Sequence, residues 1–150
     1  AYYMQLIDMA AKSTTMMVTA MPVGDVHGIG PAIEGIAREP GSGLVVLPDV
    51  LTTAHRDVII KTAAQNKVPA IFAYRYIVSD GGLASYGVDV GDLYRRAAGY
   101  ADRILRGDNV AELPVQAPIK FELAFNLQTA RELGLTIPPT LLATADEVIE

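Results

Sequence analysis

Leu44-Val45-Val46-Leu47 and Val68-Pro69-Ala70-Ile71-Phe72-Ala73 are two uninterrupted apolar runs, too short for helices and without the alternation of a half-exposed strand. Such runs are the mark of strands covered on both faces, as in parallel sheets. A parallel pair needs a crossover between its members, and Thr53 to Lys67 supplies one. Ala54, Val58, Ile59, Ala63 and Ala64 gather towards one side of a helix there. The two runs are therefore expected as neighbouring central strands of a mostly parallel sheet.

The same rhythm extends outward. Met4, Ile7, Ala10 and Ala11 give Tyr2 to Lys12 helical spacing, and Thr14 to Val23 is a short apolar run closed by Pro22 and Gly24, read as a buried strand. Ile29, Ala32, Ile33, Ile36 and Ala37 predict a helix to Arg38, with Pro31 in its first turn. Downstream, Leu83 to Tyr86 reads as a strand and Val90 to Arg106 as the best-patterned helix. Val90, Leu93, Tyr94, Ala97, Ala98, Ala101, Ile104 and Leu105 form its stripe, and Gly107 is its left-handed cap. Glu112 to Pro118 is an extended link, Lys120 to Phe125 a strand, and Asn126 the cap of a helix ending near Gly134. Pro138-Pro139 breaks the chain, and Thr144 and Glu147 have capping-box spacing before a last turn. The fold class is α/β, a Rossmann-like three-layer sandwich with a mostly parallel sheet.

Composition narrows the function. The 150 residues are 51% apolar and 19% charged, enough hydrophobic side chain for one folded core. With 12 Lys+Arg against 17 Asp+Glu, a net charge of −5, and no basic cluster beyond Arg95-Arg96, nucleic-acid binding is not expected. The absence of cysteine excludes disulfides, thiolate metal sites and cysteine nucleophiles. No apolar run approaches the ~20 residues of a membrane helix. The chain opens on Ala1 without the basic and apolar regions of a signal peptide, an opening expected of a truncated or processed chain.

Nothing anchors catalysis. His27 and His55 lack the partners of a metal site, there is no Gly-x-Ser-x-Gly elbow, and Gly24, Gly28 and Gly30 have neither dinucleotide nor P-loop spacing. The expectation is a non-enzyme without cofactor or metal. In open α/β sheets ligands lie beyond the carboxyl ends of strands. Three such ends carry suitable side chains: Pro48-Asp49, Tyr74-Arg75-Tyr76, and Ser85-Tyr86 followed by Asp89. Asp49 and Arg75 could meet the amine and carboxylate of a zwitterion, and tyrosines offer flat apolar faces. Asp49 serves equally well as the cap of the next helix, and packing accounts for at least one of Tyr74 and Tyr76.

At LVVLPD (44–49), GGLASYG (81–87), DLYRRAAGYADRILRG (92–107), KFELAFNLQTARELGLTIPP (120–139) and ADEVI (145–149), the sequence resembles the ABC-transporter substrate-binding proteins of the periplasmic-binding-protein type I fold. The similarity is to the branch that includes tryptophan-binding members. It implies two α/β lobes around a cleft, hinge closure on an amino-acid-like or aromatic small molecule, delivery to an ABC permease, and a periplasmic or other extracytoplasmic location. Such proteins carry a first lobe and an opening strand upstream of the Tyr2 helix, so the resemblance implies a C-terminal-half fragment. On that basis residues 1–89 are the lobe core, 90–113 a crossing helix that packs on a first lobe, and 114–150 the strand and helix returning to the lobe. The cleft-facing positions implied are Asp49, Tyr74, Ser85 and Tyr86. Left alone, the apolar stripe of the crossing helix should be covered by folding back on this chain's own sheet or by another copy, and a homodimer or larger assembly formed by exchange of the segment from Val90 to the C-terminus is expected.

Two rival readings stand beside this one. A phospho-acceptor receiver domain has similar strand-Asp and strand-Pro signatures, but it needs an acidic pair after its first strand and a Lys closing its last. Here Asp25 stands alone and Lys120 opens a strand. The other is an oligomerising module with no ligand of its own.

Overall fold

The computed structural model describes residues 2–150, the side chain of Tyr2 excepted. In chain order the elements are α1 (Tyr2–Ala11), α2 (Val26–Ile36), β1 (Leu44–Val45), α3 (Val50–Ala54), α4 (Arg56–Gln65), β2 (Ala70–Phe72) and α5 (Arg75–Ser79). There follow β3 (Ala84–Val88), α6 (Val90–Leu105), a 3-10 turn (Val110–Glu112), β4 (Phe121–Asn126), α7 (Leu127–Leu133), α8 (Pro139–Leu142) and β5 (Glu147–Ile149). The strands form one sheet in the order β1-β2-β3-β4-β5. The pairs β1/β2, β2/β3 and β4/β5 are parallel and β3/β4 is antiparallel, so the sheet is mostly parallel, as expected.

Alternation along β2 divides the interior in two. Phe72 and Ala70 face a core with Ile29 and Ile33 of α2, Ile59 and Ala63 of α4, and Ile77 of α5. Ile71 faces a second core of Leu83, Ala84, Phe125 and Ala130, closed by Leu133, Ile137 and Leu142. Helices thus cover both faces, which is the three-layer arrangement.

Several helix ends are where side-chain chemistry puts them. Asp25 accepts from the backbone N–H of His27 and Gly28, which starts α2 at Val26, earlier than the apolar spacing suggested. Pro31 therefore falls inside the helix on its exposed side, and not in the first turn. Asn126 caps α7 through Thr129 N–H (3.0 Å). Gly107 and Gly134, at φ +102° and +75°, end α6 and α7 in the left-handed region, where a Cβ would be strained.

Four expectations are corrected. Thr14 to Val23 is no buried strand: it is irregular and largely exposed, with Met17 97% accessible, because no neighbouring strand takes up its backbone groups. The Leu44 run pairs with β2 as expected but forms the sheet edge instead of a central strand, and Val45 is 61% exposed on one face. The helix read over Thr53 to Lys67 is two helices, α3 and α4, broken at His55, whose φ −111° and ψ 29° leave the helical region. The final turn predicted from Thr144 and Glu147 is instead strand β5, since the Thr144 hydroxyl donates to Leu141 O and Glu147–Ile149 joins β4.

α6 stands apart. None of its residues is buried, and Tyr94, Ile104 and Leu105 are exposed along its stripe. Its tertiary hydrogen bonds run to the returning strand-like link: Tyr100 Oη donates to Pro114 O (2.6 Å), and Arg96 reaches Ala117 O (3.3 Å) and the Gln116 side chain.

Candidate functional site

The carboxyl ends of β1 and β2 open onto a shallow hollow of about 10 Å³ between Leu47, Pro48, Thr52, Phe72 and Tyr74. A space of that size holds roughly one water molecule. Asp49 lies on its β1 side as the N-cap of α3. Its Oδ1 accepts from Thr52 N–H (2.9 Å), its own N–H donates to Thr52 Oγ1 (3.1 Å), and that hydroxyl donates to Leu47 O (2.8 Å). This reciprocal box fixes the carboxylate at the start of α3 with one oxygen engaged.

On the β2 side, Tyr74 occupies the N-cap position of α5, and its ring stacks on Tyr76 at 5.6 Å between centroids and 11° between planes. The Arg56 guanidinium lies 5.5 Å from the Tyr76 ring centroid and is held by Asp80 at 2.7 Å. The Asp80 hydrogen bond raises the Arg56 pKa. Partial burial raises the Tyr76 hydroxyl pKa more than the nearby guanidinium lowers it, so the phenol stays neutral. The hollow's lining thus includes two threonines and Tyr74, with Tyr76 stacked on Tyr74 and Asp49 next to Pro48 in the chain.

Ser85 and Tyr86 are consecutive on β3 and point to opposite faces. Ser85 is in register with Phe72 and lies on the face that α5 covers, 1% exposed, its hydroxyl without a hydrogen-bond partner. Tyr86 is 59% exposed and stacks on Phe121 of β4 at 6.0 Å. Of the four residues singled out from sequence, Tyr74 lines the hollow, Asp49 follows Pro48 of its lining in the chain, Ser85 lies buried beside Phe72, and Tyr86 is on the other side of the sheet. Arg75, considered above as a carboxylate partner, is already paired with Glu147 (2.7 Å) and Glu122 (3.4 Å). The Glu147 hydrogen bond, first among these contacts, raises its pKa. Among the described residues no group of three His, Asp or Glu side chains is placed to hold a metal ion.

One charged pair was not foreseen. Lys120 Nζ donates to Asp89 Oδ2 at 2.6 Å, while Asp89 Oδ1 accepts from Asp92 N–H at 2.9 Å and caps α6. The Lys120 hydrogen bond, followed by that of Asp92, lowers the Asp89 pKa, and the same contact raises that of Lys120. The two are separated by 31 positions in the chain, beyond the reach of any local pattern.

The family profile described as ABC transporter substrate binding protein matches residues 2–149. A tyrosine-binding protein of Clostridioides difficile (strain R20291) is 32% identical over 92 residues, which is 61% of this chain and 27% of that protein. Among solved structures, a conserved domain protein from Vibrio cholerae O1 biovar El Tor superposes with a TM-score of 0.86 at 27% identity, over 98% of this chain and 49% of its own. An ABC domain from Streptococcus pneumoniae in complex with L-Trp gives 0.85 at 23% identity, over 99% and 50%. The fold is therefore shared over nearly the whole chain, which spans about half the length of these solved relatives. The profile match covers nearly every residue, and on that ground the chain belongs to the ABC transporter substrate-binding protein family.

Proposed function

We propose that the chain is one lobe of the solute-binding component of an ABC import system, and that its Asp49–Tyr74 rim forms one wall of a cleft for an aromatic amino acid. The observation that carries this is the hollow itself: it lies at the carboxyl ends of two parallel strands, beside a carboxylate and a stacked tyrosine pair, and is too small to enclose such a ligand without a facing wall. One Asp49 oxygen serves the cap, and the other is available to an ammonium group. The Tyr74 ring offers a face to an aromatic side chain. Ser85, buried beside Phe72 on the same face of the sheet, would lie beneath the ligand, while Tyr86 on the opposite face would meet it only beyond the end of β3. The relatives named for tyrosine and crystallised with L-Trp direct the choice of ligand class. In this reading residues 1–89 are the lobe core, 90–113 carry the helix that packs on a facing lobe, and 114–150 return. Ligand is delivered to a membrane permease from outside the cytoplasmic membrane, where family members of this kind work.

Titration calorimetry of the chain joined to a facing lobe with L-tyrosine and L-tryptophan, against glycine and glucose, tests the reading. The aromatic amino acids should bind and the controls should not. Tyr74→Ala should weaken binding by about 1–3 kcal/mol. Asp49→Asn keeps an N-cap side chain while removing the charge, so it should lower affinity without lowering Tm. Equal binding of glycine, or indifference to Tyr74→Ala, would sink the proposal.

We also propose that the α6 stripe of the isolated chain is covered by a second copy. Sedimentation at micromolar concentration should give twice the 16.0 kDa chain mass, and Tyr94→Glu with Leu105→Glu should return it to the monomer. A monomeric unaltered chain contradicts this.

A further inference from the structure

The last paired rung of β3 and β4 is Val88 with Phe121. Immediately beyond it Asp89 N–H donates to Lys120 O at 3.0 Å, and there the two strands part. Everything between, α6 and its return, is held to itself by Arg96 and Tyr100 and projects from the sheet with no residue of α6 buried. Segment 90–119 is thus an arm that leaves the lobe through a single neck. At that neck one carboxylate does two jobs. Asp89 Oδ1 takes the first-turn Asp92 N–H and so sets the direction of α6, while Oδ2 takes the Lys120 ammonium on the returning strand. The carboxylate is 8% exposed, and Arg95 adds a second cation at 3.8 Å. Just before the neck β3 is fixed, because a Cβ at Gly87 would lie 1.9 Å from Ala73 O. Rotation of the arm against the sheet must therefore occur after Gly87, where Asp89 and Lys120 sit.

We propose that the Asp89–Lys120 clasp is the hinge pin of this molecule, fixing the angle at which the 90–119 arm leaves the sheet and giving it one pivot. Both residues are positioning residues that act by orienting α6. The inference does not rest on the ligand reading, since it concerns the unliganded chain.

The chain has no cysteine, so Lys61→Cys with Ala98→Cys places nitroxide labels on α4 and α6 alone. Double electron–electron resonance, on labelled protein diluted with unlabelled chain, should give one narrow distance distribution. Lys120→Met and Asp89→Asn should each broaden it, and Lys120→Arg should keep it narrow. Hydrogen exchange should rise about tenfold at Gly91 to Leu93 and at Glu122 while staying unchanged at Phe72 and Phe125 in the cores. Unaltered distance distributions in Lys120→Met and Asp89→Asn would overturn the proposal. So would exchange that rises equally in the cores, which marks general destabilisation, or failure of Lys120→Arg to restore a narrow distribution.

Discussion

Gly87→Ala is expected to be the most damaging single methyl that can be added to this chain. The new Cβ would stand 1.9 Å from Ala73 O, and the nearest relief is to part β3 from the end of β2 by about 1 Å. Both belong to a parallel ladder in which Ile71 pairs with Ala84 and Phe72 with Ser85, so the movement breaks pairing in the middle of the sheet. Overpacking against a backbone carbonyl leaves no rotamer through which to escape. The cost should reach about 3 kcal/mol or more, a large share of the ~5–15 kcal/mol that stabilises a domain. Urea unfolding checks it, with Gly99→Ala as the control. That glycine lies in α6 with nothing within 4 Å of its Cβ position, so the substitution should be neutral or slightly stabilising. A Gly87→Ala protein as stable as the unaltered chain would mean that β3 and the Ala73 turn are not in contact in solution.

Phe72→Ala should come next. The ring is 3% exposed in the core between β2, α2, α4 and α5, packed with Ile29, Ile33, Ile59 and Ile77. Loss of about 3–5 kcal/mol is expected, lowering Tm by roughly 10 °C or more. Phe125→Ala empties the second core, on the other face of the sheet, and its effect should add to that of Phe72→Ala where the two cores act independently. Thermal melts of the single and double variants measure this directly.

These two cores explain which parts of the fold could be read from sequence. α6 was legible because its stripe runs uninterrupted from Val90 to Leu105 and Asp89 and Gly107 mark its ends. β4, the Asn126 cap and α7 were legible for the same reason, since each is specified by residues within a few positions of one another. Misreadings fell where the outcome depends on a partner. Thr14 to Val23 and Leu44 to Leu47 are apolar enough to be buried strands, but burial requires a neighbour, and apolar character alone does not name one. α5 has only five residues, less than two turns, so Tyr74-Arg75-Tyr76 read as a loop. At the candidate site, the strand-end rule places Asp49 beyond β1 and Tyr74 beyond β2 because it needs only strand positions. It grouped Ser85 with Tyr86 although alternation along a strand sends neighbours to opposite faces, and it could not find Lys120, whose role exists only through Asp89.

The separation of β3 from β4 carries a thermodynamic consequence. Val88 and Phe121 pair across an antiparallel ladder that a hairpin of two to five residues could join. Closing the much longer excursion between them raises the loop-closure entropy by roughly 2 kcal/mol over a tight turn, and the pairing must form across a large sequence separation, which slows folding. Asp89 and Lys120 offset part of that cost by drawing the two ends of the excursion together where the ladder begins. A sheet selected only to fold would have no use for the excursion. The excursion is a net cost to the folding of this sheet, and α6 returns none of it through buried residues.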